Sequence, residues 1–178
     1  VYKRQVVLIL AYPKGRSLYI RSWLIGLFGL LLMVGAWCGL MSVRQMPYGE
    51  FWLLWLLVLT TATDVGAFFS GRMFGRRKLA PSLSPGKTWE GAWGGALVAS
   101  SICLVALFVF SDWPIFNAVL LTLGLIVMGI FGDLFESLLK RATGLKDSGG
   151  LLPGHGGVLD RIDSIIAVAP LLAWALIT

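Results

Sequence analysis

Residues 22–43 read SWLIGLFGLLLMVGAWCGLMSV, a run of 22 residues without a single charge. At 1.5 Å per residue such a run reaches about 33 Å as a helix, enough to cross a hydrocarbon core of about 30 Å. Four more stretches share its character: Phe51 to Phe69, interrupted by Asp64; Ala92 to Phe110; Ile115 to about Lys140, charged only in its last turns; and Asp160 to Thr178. The expected fold class is therefore all-α, a polytopic integral membrane helix bundle with about five transmembrane helices. Composition points the same way. Of 178 residues, 57% are hydrophobic and 13% charged, whereas a soluble domain carries about 25% charged residues. Cys38 and Cys103 lie in apolar runs without CxxC or CxH spacing, which excludes a disulfide scaffold and a thiolate zinc site.

Outside the spans, the stretch Val6 to Tyr12 reaches only about 10 Å as helix and reads as a truncated segment. No secretory cleavage pattern follows it. The chain divides into residues 1–21, a truncated N-terminal segment; residues 22–63, transmembrane helices; and residues 64–178, a membrane-embedded catalytic portion with two long connections on one side. Lys14, Arg16 and Arg21 precede the first span. Arg72, Arg76, Arg77, Lys78 and Lys87 lie between the second and third, and Lys140, Arg141, Lys146 and Arg161 between the fourth and fifth. The opposite side holds only Arg44. By the positive-inside rule the basic loops face the cytoplasm, and the net charge of +6 encodes orientation rather than nucleic-acid binding. Trp23 and Trp89 on that side, with Trp52 and Trp113 on the other, suit interfacial anchors. Gly35 with Gly39 and Gly91 with Gly95 place small residues one turn apart, which permits close helix packing. There is no fixed-period repeat and no low-complexity tract.

Nearly all the acidic residues fall in or beside the two long connections. The first begins at Asp64, where a carboxylate inside a span costs up to about 3 kcal/mol unless paired or hydrated. A direct substrate role and a partnership with Arg72 both remain open for it. Ser84-Pro85-Gly86-Lys87-Thr88 ends in GKT, but a P-loop needs Gly where Pro81 stands and an upstream strand where a membrane helix runs. Walker A is excluded. What remains is a lysine with two hydroxyls directly ahead of a helix expected to begin near Trp89, an arrangement that suits phosphate. Arg76, Arg77 and Lys78 read first as the orientation signal and as attraction to anionic headgroups.

The second connection runs FGDLFESLLKRATGLKDSGGLLPGHGGVLDRID from Phe131 to Asp163. Asp133, Glu136 and Lys140 stand at i, i+3 and i+7 on one helical face, and Asp160 and Asp163 stand at i, i+3. Like charges at that spacing repel, so two acidic pairs converging near the membrane boundary imply a bound cation. Carboxylate-only ligands point to Mg²⁺ or a similar hard ion. Capping of the last helix by Asp160 is the plainer reading for that residue alone, and it leaves Asp133 and Glu136 unexplained. Between the pairs lie Gly149, Gly150, Gly154, Gly156 and Gly157, with Pro153 and the sole histidine, His155. Glycine lets backbone amides approach a ligand, Lys140, Arg141, Lys146 and Arg161 neutralise phosphate charge, and His155 suits a phosphate ligand. These features describe a metal-assisted site for a phosphate-rich substrate.

The run Ser137 to Arg141, then Lys146-Asp147-Ser148-Gly149, then Pro153 to Asp163 through His155, Gly156, Gly157, Asp160 and Arg161, closely resembles the signature of the phosphatidate cytidylyltransferases, also called CDP-diacylglycerol synthases. The DxGA start at Asp64, the FGRRKLAPSLSPGKTWEG run and the GDLFES run resemble that family's other shared blocks, so the resemblance covers roughly Asp64 to Thr178. It implies transfer of cytidylyl from CTP to phosphatidic acid, with release of pyrophosphate and with Mg²⁺ required. On that resemblance Asp133, Asp160, Asp163 and Glu136 would hold the metal, with Asp133, Asp160, Lys140 and Arg141 as the catalytic group. Lys87, Thr88 and Ser84 would hold nucleotide phosphate, while Lys140, Arg141, Lys146 and Arg161 would hold pyrophosphate and the lipid phosphate. Asp64, Asp147, His155, Gly156 and Gly157 complete the substrate-binding set. The same likeness implies a multi-pass protein of a bacterial inner membrane, its site facing the cytoplasm, with membrane lipids around it, a homodimer as its assembly and no nucleic-acid partner. A transporter would explain the spans and Asp64 equally well, but not a glycine-rich, cation-rich connection on one side only. A CDP-alcohol phosphotransferase would carry a DGxxAR run, and Asp160-Arg-Ile-Asp163-Ser-Ile-Ile lacks it.

Overall fold

Among the described residues five helices form, where apolar runs leave the backbone no better option in lipid than to bond to itself. The computed structural model describes residues 22–111, 113–142 and 159–177, excepting the side chains of residues 22–26, 28, 142 and 159–161. The elements are α1 (Ser22–Gln45), α2 (Gly49–Phe74), β1 (Lys78–Ala80), β2 (Ser84–Thr88), α3 (Trp89–Phe110), α4 (Ile115–Ala142) and α5 (Leu159–Ile177). Among the described residues α2, α3 and α4 are long and apolar enough to cross a membrane, and the apolar helical stretches Gly29–Gln45 and Ile162–Ile177 are shorter. The chain is an all-α polytopic membrane protein. Leu30, Met33, Trp37, Leu97, Phe108 and Phe116 are all more than half exposed, an apolar exterior that only lipid can cover.

The most extensive packing joins α2 to α3, followed by α1 with α5 and α4 with α5. Small residues make it close. A Cβ added to Gly66 would lie 3.0 Å from the Gly95 Cα, and one on Gly91 would lie 2.9 Å from the Ala67 carbonyl. On the other side of the bundle a Cβ on Gly39 would sit 2.8 Å from the Ala169 carbonyl. The glycine spacings in α1 and α3 are therefore packing features. Several polar side chains inside the bundle bond to carbonyls of their own or a neighbouring helix. Thr63 and Thr122 donate to the carbonyls of Leu59 and Ala118, each at 2.7 Å, and the Trp55 indole donates to the Cys103 carbonyl at 3.1 Å.

Two expectations need correction. The helix expected to end at Phe69 continues to Phe74, because Gly71 lets its last turn press on α3: an added Cβ there would meet Thr88 Oγ1 at 3.0 Å. Asp64 thus stands ten residues from the helix end, about 15 Å along the axis rather than one and a half turns. Trp52, expected as an interfacial anchor, is 6% exposed. It packs against Trp113 and Trp55 with ring centroids 5.1 and 5.8 Å away, inside the end of the bundle that carries Arg44. Trp89 does lie exposed.

Between α2 and α3 the chain forms a two-stranded antiparallel hairpin that the sequence pattern does not announce. Lys78 pairs with Thr88 and Ala80 with Ser84, with an irregularity between. Leu83 at its turn is buried with Leu134, Phe135 and Leu138 of α4, so the hairpin folds back over the bundle instead of standing in solvent.

Candidate functional site

Thr88 ends the hairpin and begins α3: its backbone is extended and its Oγ1 accepts from the Gly91 amide at 3.1 Å. That N-cap holds the preceding residue, Lys87, in place. Glu90, one residue into the helix, accepts from the Arg76 amide at 3.0 Å and from the Arg77 amide at 3.1 Å, while the Trp89 amide donates to the Arg77 carbonyl at 2.9 Å. Both ends of the hairpin are tied to the first turn of α3. From this base the Lys87 ammonium reaches α4 and forms an ion pair with the Asp133 carboxylate.

Asp133 belongs to a cluster. Asp133 and Glu136 from α4 and Asp163 from α5 each offer a carboxylate oxygen, all within 4.8 Å of one another. The i, i+3 spacing puts the first two on one face, and α5 packs against that face because Gly132 leaves room for Ala167. Glu136 is 8% exposed and lies 3.4 Å from the Lys140 ammonium, one turn along. Asp163 Oδ1 accepts from the Ser164 amide at 2.6 Å, which fixes its direction. Three oxygen donors from two helices form a hard, anionic set that fits a divalent cation of the Mg²⁺ type better than any softer metal.

The cluster opens on a cavity of about 650 Å³. Asp133, Asp163, Lys87, Lys140, Asp64 and Arg72 supply its polar wall, and Thr88 and Gly86 its hairpin edge. Its deeper wall is largely apolar, built from Leu59, Leu125, Ile126 and Ile130. No ion pair joins Asp64 to Arg72 among the described residues, although both line the cavity. A cavity with cations and carboxylates at one end and hydrocarbon at the other has the shape of an amphiphile carrying a phosphate head.

Of the residues singled out in the sequence, the structure brings together Asp64, Lys87, Thr88, Asp133, Lys140 and Asp163 around this cavity, with Glu136 behind them. Two others stand apart. The Arg141 guanidinium donates to the Leu83 carbonyl at 3.4 Å and braces the hairpin turn instead of lining the cavity. Ser84 pairs with Ala80 at the far end of β2 and is likewise outside the cavity wall. Asp160 and Arg161 lie in α5, but their side chains are outside the described residues, as are Lys146, Asp147, His155, Gly156 and Gly157 entirely. Arg72 reads in the sequence as an orientation cation and a partner for Asp64, not as a cavity cation, and the Glu90 clamp is not read there at all. A carboxylate in the first turn of α3, next to three successive cations, was the available signal for the second.

The chain is similar in sequence to known proteins. The model of the cytidylyltransferase family matches residues 1–178. A phosphatidate cytidylyltransferase of Pseudomonas aeruginosa is 45% identical over 176 residues, covering 95% of this chain and 64% of that protein. One of Haemophilus influenzae is 40% identical over 185 residues, covering 95% of this chain and 63% of the relative. One of Bacillus subtilis is 45% identical over 130 residues, covering 72% of this chain and 48% of the relative. The chain thus spans less than two thirds of the length of these relatives.

Proposed function

Because this chain belongs to the cytidylyltransferase family, we propose that it carries the catalytic portion of a CTP:phosphatidate cytidylyltransferase, forming CDP-diacylglycerol and pyrophosphate. The observation that carries the proposal is the convergence of Asp133, Glu136 and Asp163 within 4.8 Å at the polar end of a cavity whose other end is hydrocarbon. Phosphatidic acid has the same division, an acyl body and an anionic head. An oxygen of its phosphate attacks the α-phosphorus of CTP. A new P–O bond forms, the bond from that phosphorus to the bridging oxygen of the β-phosphate breaks, and pyrophosphate leaves with the electron pair. The nucleophile is already an anion, so the reaction needs positioning and charge neutralisation more than proton transfer.

Asp133, Glu136 and Asp163, together with Asp160, would hold Mg²⁺. When bound, the ion supplies charge neutralisation at the phosphate oxygens. Lys87, Lys140 and Arg72 line the same cavity and bind phosphate as cations. Asp64 is an acceptor only, so it serves a donor such as a sugar hydroxyl or the cytosine amine and not a phosphate. Thr88 holds the hairpin while its hydroxyl hydrogen remains able to donate to a phosphate oxygen. Lys146, Asp147, His155, Gly156, Gly157 and Arg161 complete the substrate contacts on this reading, the site faces the cytoplasm of a bacterial inner membrane, and the working assembly is a homodimer.

The test is an assay of the protein purified from membranes with CTP, phosphatidate and Mg²⁺, following pyrophosphate. Release should require both substrates and the metal. In Asp133→Asn, activity should fall by at least 100-fold, an order-of-magnitude figure for losing one charged group that acts on the transition state, with the protein still folded in membrane. Full activity in that variant, or pyrophosphate release without phosphatidate, sinks the proposal.

A further inference from the structure

The carboxylate cluster is a place of strong mutual repulsion, with three acidic groups inside 4.8 Å. Two of them are held by lysines, and the two lysines differ in origin. Lys140 stands one turn along α4 from Glu136, at 3.4 Å, so their association is a property of the helix itself. Lys87 comes from β2, 46 residues before Asp133 in the chain, and pairs with it only because the hairpin folds back over the bundle. The backbone behind Lys87 is pinned by the Thr88 cap and the Glu90 clamp, whereas its side chain is a flexible four-carbon stem, 28% exposed and lining the cavity. A divalent cation and the Lys87 ammonium would compete for the same Asp133 oxygens.

We propose that Lys87 is a tethered counter-ion that occupies the metal position on Asp133 until a divalent cation displaces it, so that metal binding releases the ammonium into the cavity for phosphate. This inference rests on the metal reading of the carboxylates given above and adds to it a direction of coupling. The ammonium is bound to a carboxylate before the metal arrives and is available to an anion afterwards, so metal strengthens nucleotide phosphate binding beyond its own contacts. By linkage, nucleotide strengthens metal binding by the same factor. It also means that removing Lys87 lifts a competitor from the metal site, an effect opposite in sign to that of removing a ligand.

The experiment is Mn²⁺ binding to the intact chain in detergent, followed by electron paramagnetic resonance without nucleotide. Lys87→Met should bind Mn²⁺ more tightly than wild type, by a factor on the order of five, as for loss of one partly exposed ion pair. Lys87→Arg, which keeps a cation, should not gain affinity. In wild type the rate of Lys87 acylation by an amine reagent, read by mass spectrometry, should rise on addition of Mg²⁺. This second measurement needs no variant and stands if Lys87→Met does not fold. Mn²⁺ affinity unchanged or weakened in Lys87→Met, or Lys87 acylation that does not respond to Mg²⁺ in a protein that binds Mn²⁺, overturns the exchange and leaves the metal reading intact. Absence of Mn²⁺ binding in wild type overturns both.

Discussion

Thr88 and Lys87 are chain neighbours with different duties, and the difference is written in their side-chain length. The Thr88 hydroxyl reaches only as far as the Gly91 amide and caps α3, while Lys87 crosses to α4. Replacing Thr88 by Ala removes the acceptor from a helix N-terminus, at a cost of about 1 kcal/mol. The thermal midpoint of the solubilised protein should drop in Thr88→Ala and recover largely in Thr88→Ser, which keeps the oxygen; equal losses in both would show that the methyl packing near Gly75, and not the cap, matters there. The acidic residues of this site were legible in the sequence because Asp133 and Glu136 share a helical face by arithmetic. The Lys87–Asp133 pair was not, since no local spacing links residues 46 positions apart. The contact of Arg141 was not legible for a related reason: a cation next to the acidic run has two ways to be satisfied, and the carbonyl of Leu83 is available only once the hairpin has folded back.

At the level of elements, the helices of the described residues were legible in number and order, with ends off by up to five residues, because a long apolar run has few alternatives in a membrane. The hairpin was not. Lys78 to Thr88 reads KLAPSLSPGKT, with two prolines and no alternation of apolar and polar residues, and its pairing is sustained by burial of Leu83 against α4 and by the Glu90 clamp rather than by strand propensity. The α2–α3 contact is the element-scale feature most sensitive to a single change. A Cβ at Gly95 would lie 2.5 Å from the Thr63 carbonyl and 3.0 Å from the Ala67 Cβ, so the two backbones would have to separate. Gly95→Val should therefore cost several kcal/mol, in the range of severe overpacking, and should also widen the cavity wall that Thr63 and Ala67 form. Gly124, where nothing lies within 4 Å of an added Cβ, provides the control. Differential scanning fluorimetry of Gly95→Val and Gly124→Ala should show a large loss of stability for the first and little change for the second. Similar midpoints would mean that α2 and α3 are not packed through these glycines.

For the whole molecule, charge and depth together decide how the site meets its substrates. Among the described residues Arg72, Arg76, Arg77, Lys78, Lys87, Lys140 and Arg141 gather at the end formed by the hairpin, the last turns of α2 and α4 and the start of α3, while Arg44 is the one cation at the end near the α1–α2 turn. Asp64 and Asp133 lie ten and nine residues inside their helix ends, about 15 Å below them, so the carboxylates sit in a recess below the cationic end. On the proposed function, and with the cationic end facing the cytoplasm, a water-soluble nucleotide triphosphate would enter from where it is made and a lipid would reach the same recess from the bilayer. Cysteine labelling tests that orientation. In a background with Cys38 and Cys103 replaced, a single cysteine at Ser82 in the hairpin turn should react with a membrane-impermeant maleimide only after the cells are opened. A single cysteine at Gln45, the exposed last residue of α1, should react in intact cells. The reverse pattern would put the carboxylates on the far side from cytoplasmic CTP, and a nucleotidyl transfer fed from the cytosol would then have no route to its site.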